Sequence, residues 1–279
     1  MTKIQEVMST NNLAVEIPGR RKDAMDIMVK NGLTWLPVVK KGTNTLVGAV
    51  SRYDLMSKPE EDQLALLMRR DPITVSANDD VKDAVKLMLG ANIARLPVVS
   101  SKMELIGALT VTDVVQKVVV EVDKSKIVKS YVERDITCIW EGTPLPVAHR
   151  IMRLSNEQAL PVLNDDGELV GIIGEPDFLS VSEEVDEEKA AKTTADSEGT
   201  DWDWDTSNRI IIAKRKLRIP NKPVKDVMIR NVETTVEQAS VAECAMMMKK
   251  YGIDQLPVLN AKGSLSGVVR DTDLLRALI

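Results

Sequence analysis

Apolar and polar positions along the chain repeat one compound pattern four times. From Arg21 to Lys30 apolar residues recur at helical spacing, and Asn31-Gly32 supplies the stop. Two short apolar runs follow, Trp35 to Val39 and Leu46 to Val50, separated by the turn Lys40-Lys41-Gly42-Thr43-Asn44. Runs of that length between turn residues predict two strands. A helix is expected after Asp54, a short helix over 4–10 and an entry strand over 13–17. Each repeat therefore reads helix–strand–helix–strand–strand–helix.

The register of the four copies is close. Leu36-Pro37-Val38-Val39 precedes Gly48 and Asp54, and Leu96-Pro97-Val98-Val99 precedes Gly107 and Asp113. Leu160-Pro161-Val162-Leu163 precedes Gly171 and Asp177, and Leu256-Pro257-Val258-Leu259 precedes Gly267 and Asp273. Proline to aspartate is 113−97 = 16 residues in the second copy, the same in the third and fourth, and one more in the first. Met28, Met88, Met152 and Met248 each stand nine positions before the proline. Such phasing marks internal repeats, each too small to bury a comfortable core alone. The expected boundaries are 1–57, 58–119, 120–180 and 220–279, with an insert at 181–219. Helical bridges are expected over Glu60 to Arg69 and Asp113 to Lys129.

In the insert, Glu183 to Asp205 carries ten acidic residues against two lysines, and Arg209 to Arg218 carries five basic residues and no acid. The acidic half reads as a solvated linker. Trp202 and Trp204, with the apolar-basic stretch at Ile210-Ile211-Ile212, also fit a flap that docks either on its own basic neighbour or on a partner.

Composition narrows the function. A chain of 279 residues with one Phe, three Tyr and four Trp builds an aliphatic core, its thirteen Met filling irregular gaps. The net charge of −5 disfavours general affinity for nucleic acid, which needs a clustered cationic surface. Cys138 and Cys244 match no metal spacing and imply no disulfide framework, in keeping with a reducing cytosol. No apolar run approaches membrane-spanning length, so a cytoplasmic protein is expected. His149, the single histidine, makes neither a triad nor a metal site alone and is expected at the surface. No nucleophile–base pair or paired carboxylates suggest catalysis.

The strand-to-helix corner carries the candidate chemistry. Ser51-x-x-Asp54 and Thr110-x-x-Asp113 are capping-box sequences, in which hydroxyl and carboxylate satisfy each other's backbone amides. Copies three and four place Gly174 and Arg270 where the hydroxyl stood, yet keep Asp177 and Asp273. A second role for the acid is then to accept hydrogen bonds from the vicinal hydroxyls of a ribose, worth roughly 1.5–3 kcal/mol for a charged acceptor.

These elements resemble the cystathionine-β-synthase (CBS) domain repeat, over nearly the whole chain except the insert. The resemblance implies an α/β (α+β) fold in which four CBS repeats pair as one with two and three with four. Two tandem modules then form a flat disc, within one chain or as a homodimer. It also implies clefts that hold adenosyl ligands: AMP, ADP, ATP, S-adenosylmethionine or methylthioadenosine. Asp54, Asp113, Asp177 and Asp273 fall on the ribose position, and Ser51 and Thr110 on the hydroxyl position, from which Gly174 and Arg270 depart. The neighbourhoods of Thr74, Val75, Arg95, Pro97, Thr137, Ile139 and Thr234 fall on the base and phosphate contacts. With only Arg95 matching the basic position before the proline, ligands with one phosphate or none are expected to outbind ATP. The resemblance points to a non-catalytic regulatory module with an adenosyl ligand, no other cofactor and a regulated protein partner; the rival is an adaptor with empty clefts, acting through its helical surface.

Overall fold

The computed structural model describes residues 2–11, 13–58, 60–190 and 211–279. Two compact units divide the chain, residues 1–134 with 234–279, and residues 135–233. Copies one, two and four lie in the first unit, and copy three with the insert in the second.

Copy one comprises α1 (Ile4–Val7), β1 (Val15–Ile17), α2 (Arg21–Asn31), β2 (Trp35–Lys40), β3 (Thr45–Ser51) and α3 (Arg52–Ser57). Copy two comprises α4 (Leu64–Leu67), β4 (Arg69–Arg70), β5 (Val75–Ser76), α5 (Val81–Ala91), β6 (Arg95–Val99), β7 (Leu105–Thr110) and α6 (Val111–Lys117). Copy three has β8 (Ile139–Trp140), α7 (Leu145–Ser155), β9 (Ala159–Leu163), β10 (Leu169–Gly174) and α8 (Glu175–Ser180). The insert forms β11 (Glu183–Ala190) and β12 (Ile211–Arg218). Copy four has β13 (Thr235–Val236), α9 (Val241–Tyr251), β14 (Gln255–Leu259), β15 (Leu265–Arg270) and α10 (Asp271–Leu274).

In every copy the entry strand pairs parallel to the proline strand, for example Val75 with Val98 and Thr235 with Val258. Parallel neighbours need a crossover, and α2, α5, α7 and α9 supply it, each eleven residues long. These helices stop on Gly32, Asn92, Asn156 and Gly252, all left-handed, which glycine and asparagine tolerate best. The four methionines at the shared position are at most 3% exposed and face the strands.

The copies complete one another by exchanging the segments that precede them. In α1, which leads copy one, Ile4 and Val7 are buried in the core of copy two. In α4, which leads copy two, Leu64 and Leu67 are buried in the core of copy one. Behind the helices, Ser9 bridges to Ala108 of β7, and β4 pairs with Gly48 and Ala49 of β3. The same trade recurs later. Val128, in the 3-10 turn Val128–Ser130 ahead of copy three, lies in the core shared with copy four, and Glu133 bridges to Val268. Val224 and Met228, ahead of copy four, lie in the core of copy three, where Ile229 bridges to Ile172.

This trade explains the repeated glycine. A Cβ on Gly48 would stand 2.8 Å from both the Arg69 carbonyl oxygen and Met68 Sδ. On Gly107 it would stand 2.7 Å from the Ser9 carbonyl oxygen and 3.0 Å from Met8 Sδ. Gly171 meets Met228 and Gly267 meets Val132 and Glu133 in the same way. The exchanged segment crosses the strand directly over the glycine, and any side chain there would push it off.

Copies two and four share one core. Val114, Val115 and Val119 pack with Cys244, Ala245, Leu274 and Leu275, all buried. The bridge expected as one helix over 113–129 is broken: α6 ends at Lys117, short 3-10 turns cover Val119–Glu121 and Val128–Ser130, and 122–127 is not helical. The bridge over 60–69 is likewise only α4 followed by strand β4. In both places an exchanged segment must lie flat along a neighbour's strand, which a continuous helix cannot do. His149, expected at the surface, is half-buried, its ring set edge-on to Phe178 at 5.3 Å.

The insert departs most from expectation. The acidic stretch 183–190 is a strand and not a solvated linker, and it pairs antiparallel with β12 over eight residues. Register sets Glu183 opposite Arg218, Asp186 opposite Arg215 and Glu187 opposite Lys214. The described part of the acidic half therefore does pair with its own basic neighbour, backbone to backbone. Trp202 and Trp204 lie outside the described residues.

Candidate ligand site at the strand-to-helix corners

Each corner is built by the last residue of a second strand and the first turn of the helix that follows. Asp54 Oδ2 accepts from the Ser51 backbone amide at 2.9 Å and from Ser51 Oγ at 2.5 Å, while Asp54 N donates to Ser51 Oγ at 3.1 Å. The Thr110–Asp113 corner repeats this at 3.1, 2.6 and 3.0 Å. In copy three the Gly174 amide donates to Asp177 Oδ2 at 2.8 Å, and in copy four the Arg270 amide to Asp273 Oδ2 at 3.0 Å. Losing the hydroxyl therefore does not leave the acid idle. One carboxylate oxygen caps its own corner in all four copies, and the persistence of the aspartate has a structural cause in each.

The second oxygen differs from copy to copy. Asp54 Oδ1 accepts from Arg69 Nε at 2.9 Å, and that arginine belongs to the exchanged β4. Asp113 Oδ1 lies 3.3 Å from Lys117 Nζ, which also donates to the carbonyl of Val7 in the exchanged α1. Asp273 Oδ1 lies 3.5 Å from Arg276. Burial raises the Asp54 pKa, but the hydrogen bonds from Ser51 and the Arg69 guanidinium outweigh it and hold the carboxyl below its usual range. Asp273 goes the other way: burial pushes its pKa up, Glu133 adds to the rise, and the Arg270 amide and Arg276 only partly oppose them.

The sequence pattern that defines the CBS domain matches residues 4–61, 63–120, 128–184 and 224–279. The chain belongs to the CBS domain family. Among relatives, protein MJ1225 of Methanocaldococcus jannaschii is 25% identical over 275 residues, with 91% of each chain covered. The crystal structure of a conserved protein from Pyrococcus horikoshii superposes with a TM-score of 0.72 at 31% identity over the whole of both chains. That of MJ1225 superposes with a TM-score of 0.71 at 22% identity, again over the full length.

Within the CBS copies the expected contact residues separate by burial. Val75, Pro97 and Ile139 are buried, the two aliphatic side chains inside hydrophobic clusters. Thr74, Thr137 and Thr234, which stand just ahead of the entry strands, keep partial exposure. Thr235 is buried, with Oγ1 3.5 Å from Cys244 Sγ. Ser51, Asp54, Thr110 and Asp113 gather in the first unit at the corners of the exchanged pair. Arg95 begins β6 directly opposite Thr110, so it stands beside the copy-two corner. Asp177, Thr137 and Ile139 belong to the second unit. Arg270 and Asp273 form the copy-four corner.

Sequence reasoning missed three charged groups here. Arg69 reaches the copy-one corner through the exchange of leading segments, a contact with no local signature, whereas Lys117 stands one helical turn after Asp113 on α6 itself. Asp271, at the first turn of α10, is half-buried; burial, Asp254 and Asp273 push its pKa up to about 6, and Arg95 opposes them. Among the described residues no group of His, Cys, Asp and Glu could hold a metal ion, and no helix is long and apolar enough to cross a membrane.

Proposed function

We propose that the chain is a non-catalytic regulatory module that binds an adenosyl ligand at the corners of the pair formed by copies one and two. The observation that carries this reading is the division of labour within each carboxylate. One oxygen of Asp54 and of Asp113 is locked to its own backbone, which orients the group, and the other meets a part-exposed cation. The Arg69 and Lys117 side chains are 71% and 44% exposed, so a ribose diol can displace them at little cost. An oriented, ionised acceptor suits two vicinal hydroxyls. Because Arg69 and Val7 arrive on segments exchanged between copies, a ligand at either corner touches both copies. It favours the arrangement in which they are engaged, by its differential affinity for the two states. A protein partner would read that change.

The adaptor reading also has an observation in its favour. Copy one exposes Met25, Val29, Tyr53 and Met56 on α2 and α3, and the exchanged α4 adds Leu66, with Val29 and Tyr53 each 74% exposed. A patch of this kind suits a protein contact.

Thermal unfolding with AMP, ADP, ATP, S-adenosylmethionine and methylthioadenosine separates the two. A bound ligand at 100 times its Kd adds about 2.7 kcal/mol, and Asp113→Asn, which keeps an oxygen for the Thr110 amide, should abolish most of the shift. No shift with any of the five favours the adaptor.

A further inference from the structure

The four corners keep one acid but differ in the residue that stands across the ladder from the last position of the strand. Register sets Trp35 opposite Ser51, Arg95 opposite Thr110, Ala159 opposite Gly174 and Gln255 opposite Arg270. Directly opposed residues of an antiparallel pair hold their Cβ atoms about 4.5–5.5 Å apart on one face of the sheet. In copy one that face is turned away from the core. Leu36, Val38 and Val50 are buried in the core, so Trp35 and Ser51, each one position from a core residue, project from the other side. That side faces copy two, since Val39 and Leu46 at the far end of the same strands pack with Val99 and Leu105.

Trp35 is thus a wall of the copy-one corner. Its cross-strand neighbour Ser51 donates from Oγ to Asp54 Oδ2 at 2.5 Å. The indole is half-buried, yet it packs against none of the buried clusters of the described residues. Nor does it make a hydrogen bond to a protein group among them. A large aromatic side chain is held beside an oriented carboxylate without a packing partner of its own. The cations nearby are already engaged, Arg69 by Asp54 at 2.9 Å and Arg52 by the Leu33 carbonyl at 3.4 Å.

We propose that Trp35 determines what the copy-one corner binds: it stacks on the ligand that Asp54 holds, so this corner selects a nucleoside by aromatic and apolar surface and draws nothing from a phosphate. The inference rests on the reading that Asp54 accepts the two hydroxyls of a ribose. It does not depend on which end of the ligand lies against β2. An indole offers a broad π face and no positive charge, so a purine, the apolar face of a sugar or a thioether gains from it and a phosphate does not. At the copy-two corner the same place in the ladder holds a guanidinium, so the two corners of one exchanged pair are not equivalent.

The test is the emission of Trp35 in the full chain. With Trp140→Phe, Trp202→Phe and Trp204→Phe combined, Trp35 is the one tryptophan left. Methylthioadenosine and AMP, titrated separately, should each change its emission, with Kd values within about threefold of one another. Asp54→Asn, which keeps an oxygen for the Ser51 amide, should abolish the change. Calorimetry in an Asp113→Asn background, where copy one supplies the binding corner of the pair, gives a second readout. There Trp35→Ala should weaken methylthioadenosine about tenfold, and Trp35→Phe should restore most of the affinity. If methylthioadenosine binds that background without changing Trp35 emission, or binds Trp35→Ala as tightly, the stacking wall is wrong while the corner remains a ligand site. AMP binding more than about tenfold tighter than methylthioadenosine would overturn the wall equally, since the phosphate would then decide. If no adenosyl compound binds, the underlying reading falls and this inference with it.

Discussion

Two glycines of copy two should respond in opposite directions to the same added methyl group. Gly107 lies under the exchanged segment, where a Cβ would stand 2.7 Å from the Ser9 carbonyl oxygen and 3.0 Å from Met8 Sδ. Gly90 lies in α5, where a Cβ meets nothing within 4 Å. In Gly107→Ala the Ser9–Ala108 bridge must open, losing backbone hydrogen bonds of 2.9 and 3.0 Å. At about 1 kcal/mol net for each bond, that is roughly 2 kcal/mol. If the segment lifts further, Ile4 and Val7, now 0% and 2% exposed, lose part of the 1.5–3 kcal/mol or so that each gains on burial. The expected loss is therefore about 2–4 kcal/mol. Gly90→Ala should gain about 0.5–1 kcal/mol, from helix propensity and a less free unfolded chain. Urea unfolding followed by circular dichroism gives both signs. Hydrogen exchange at the Ser9 and Ala108 amides localises the damage. Equal small effects at the two sites, or unchanged protection at Ser9, would refute the account of why the glycine recurs.

Three further outcomes follow from the same contacts. Asp271 has a folded pKa near 6 against about 3.9 unfolded, so the native state binds the extra proton in that window and stability falls as pH rises from 4 to 6. Asp271→Asn should recover on the order of 1–2 kcal/mol at pH 7.5 and nothing below pH 4, as read from urea midpoints across pH. Thr110→Ala removes the acceptor for the Asp113 amide but spares the carboxylate cap, and should cost about 1 kcal/mol; a cost below a few tenths would show that the hydroxyl does not cap. Deleting 183–218 and closing Ser182 to Ile219 with a two-residue turn should leave thermal stability within about 0.5 kcal/mol, because Glu183 and Arg218 already stand side by side.

Repeats, strands, crossover helices and buried methionines were legible because each has a local periodic signature. The four corner aspartates were legible as positions, but the argument from the missing hydroxyls in copies three and four was incomplete. A backbone amide at Gly174 or Arg270 serves the acid as well as a side chain does. What no local pattern could disclose was the exchange of leading segments. Met8 over Gly107 and Met68 over Gly48 join residues far apart in sequence, and the glycines that record those crossings look from the sequence like ordinary strand breakers. The same blindness turned two interrupted crossings, 60–69 and 113–129, into continuous expected helices. It also hid Asp271, whose raised proton affinity comes from burial and from the nearby Asp254 and Asp273. The ribbon of the insert was half legible, since a run of acids followed by a run of bases states a complementarity without stating that it is met strand on strand.

Emergence from the ribosome sets a timetable for this architecture. Copy one cannot close until Leu67 has been translated, so its sheet waits unfinished while the next copy begins. The reverse debt falls on copy four, which needs Val128, made more than a hundred residues earlier and kept available meanwhile. Copy three waits longest, because the whole ribbon is synthesised before Val224 and Met228 reach it. A hairpin is the one insertion that lengthens this wait in time without lengthening it in space, since it returns the chain to the point of departure.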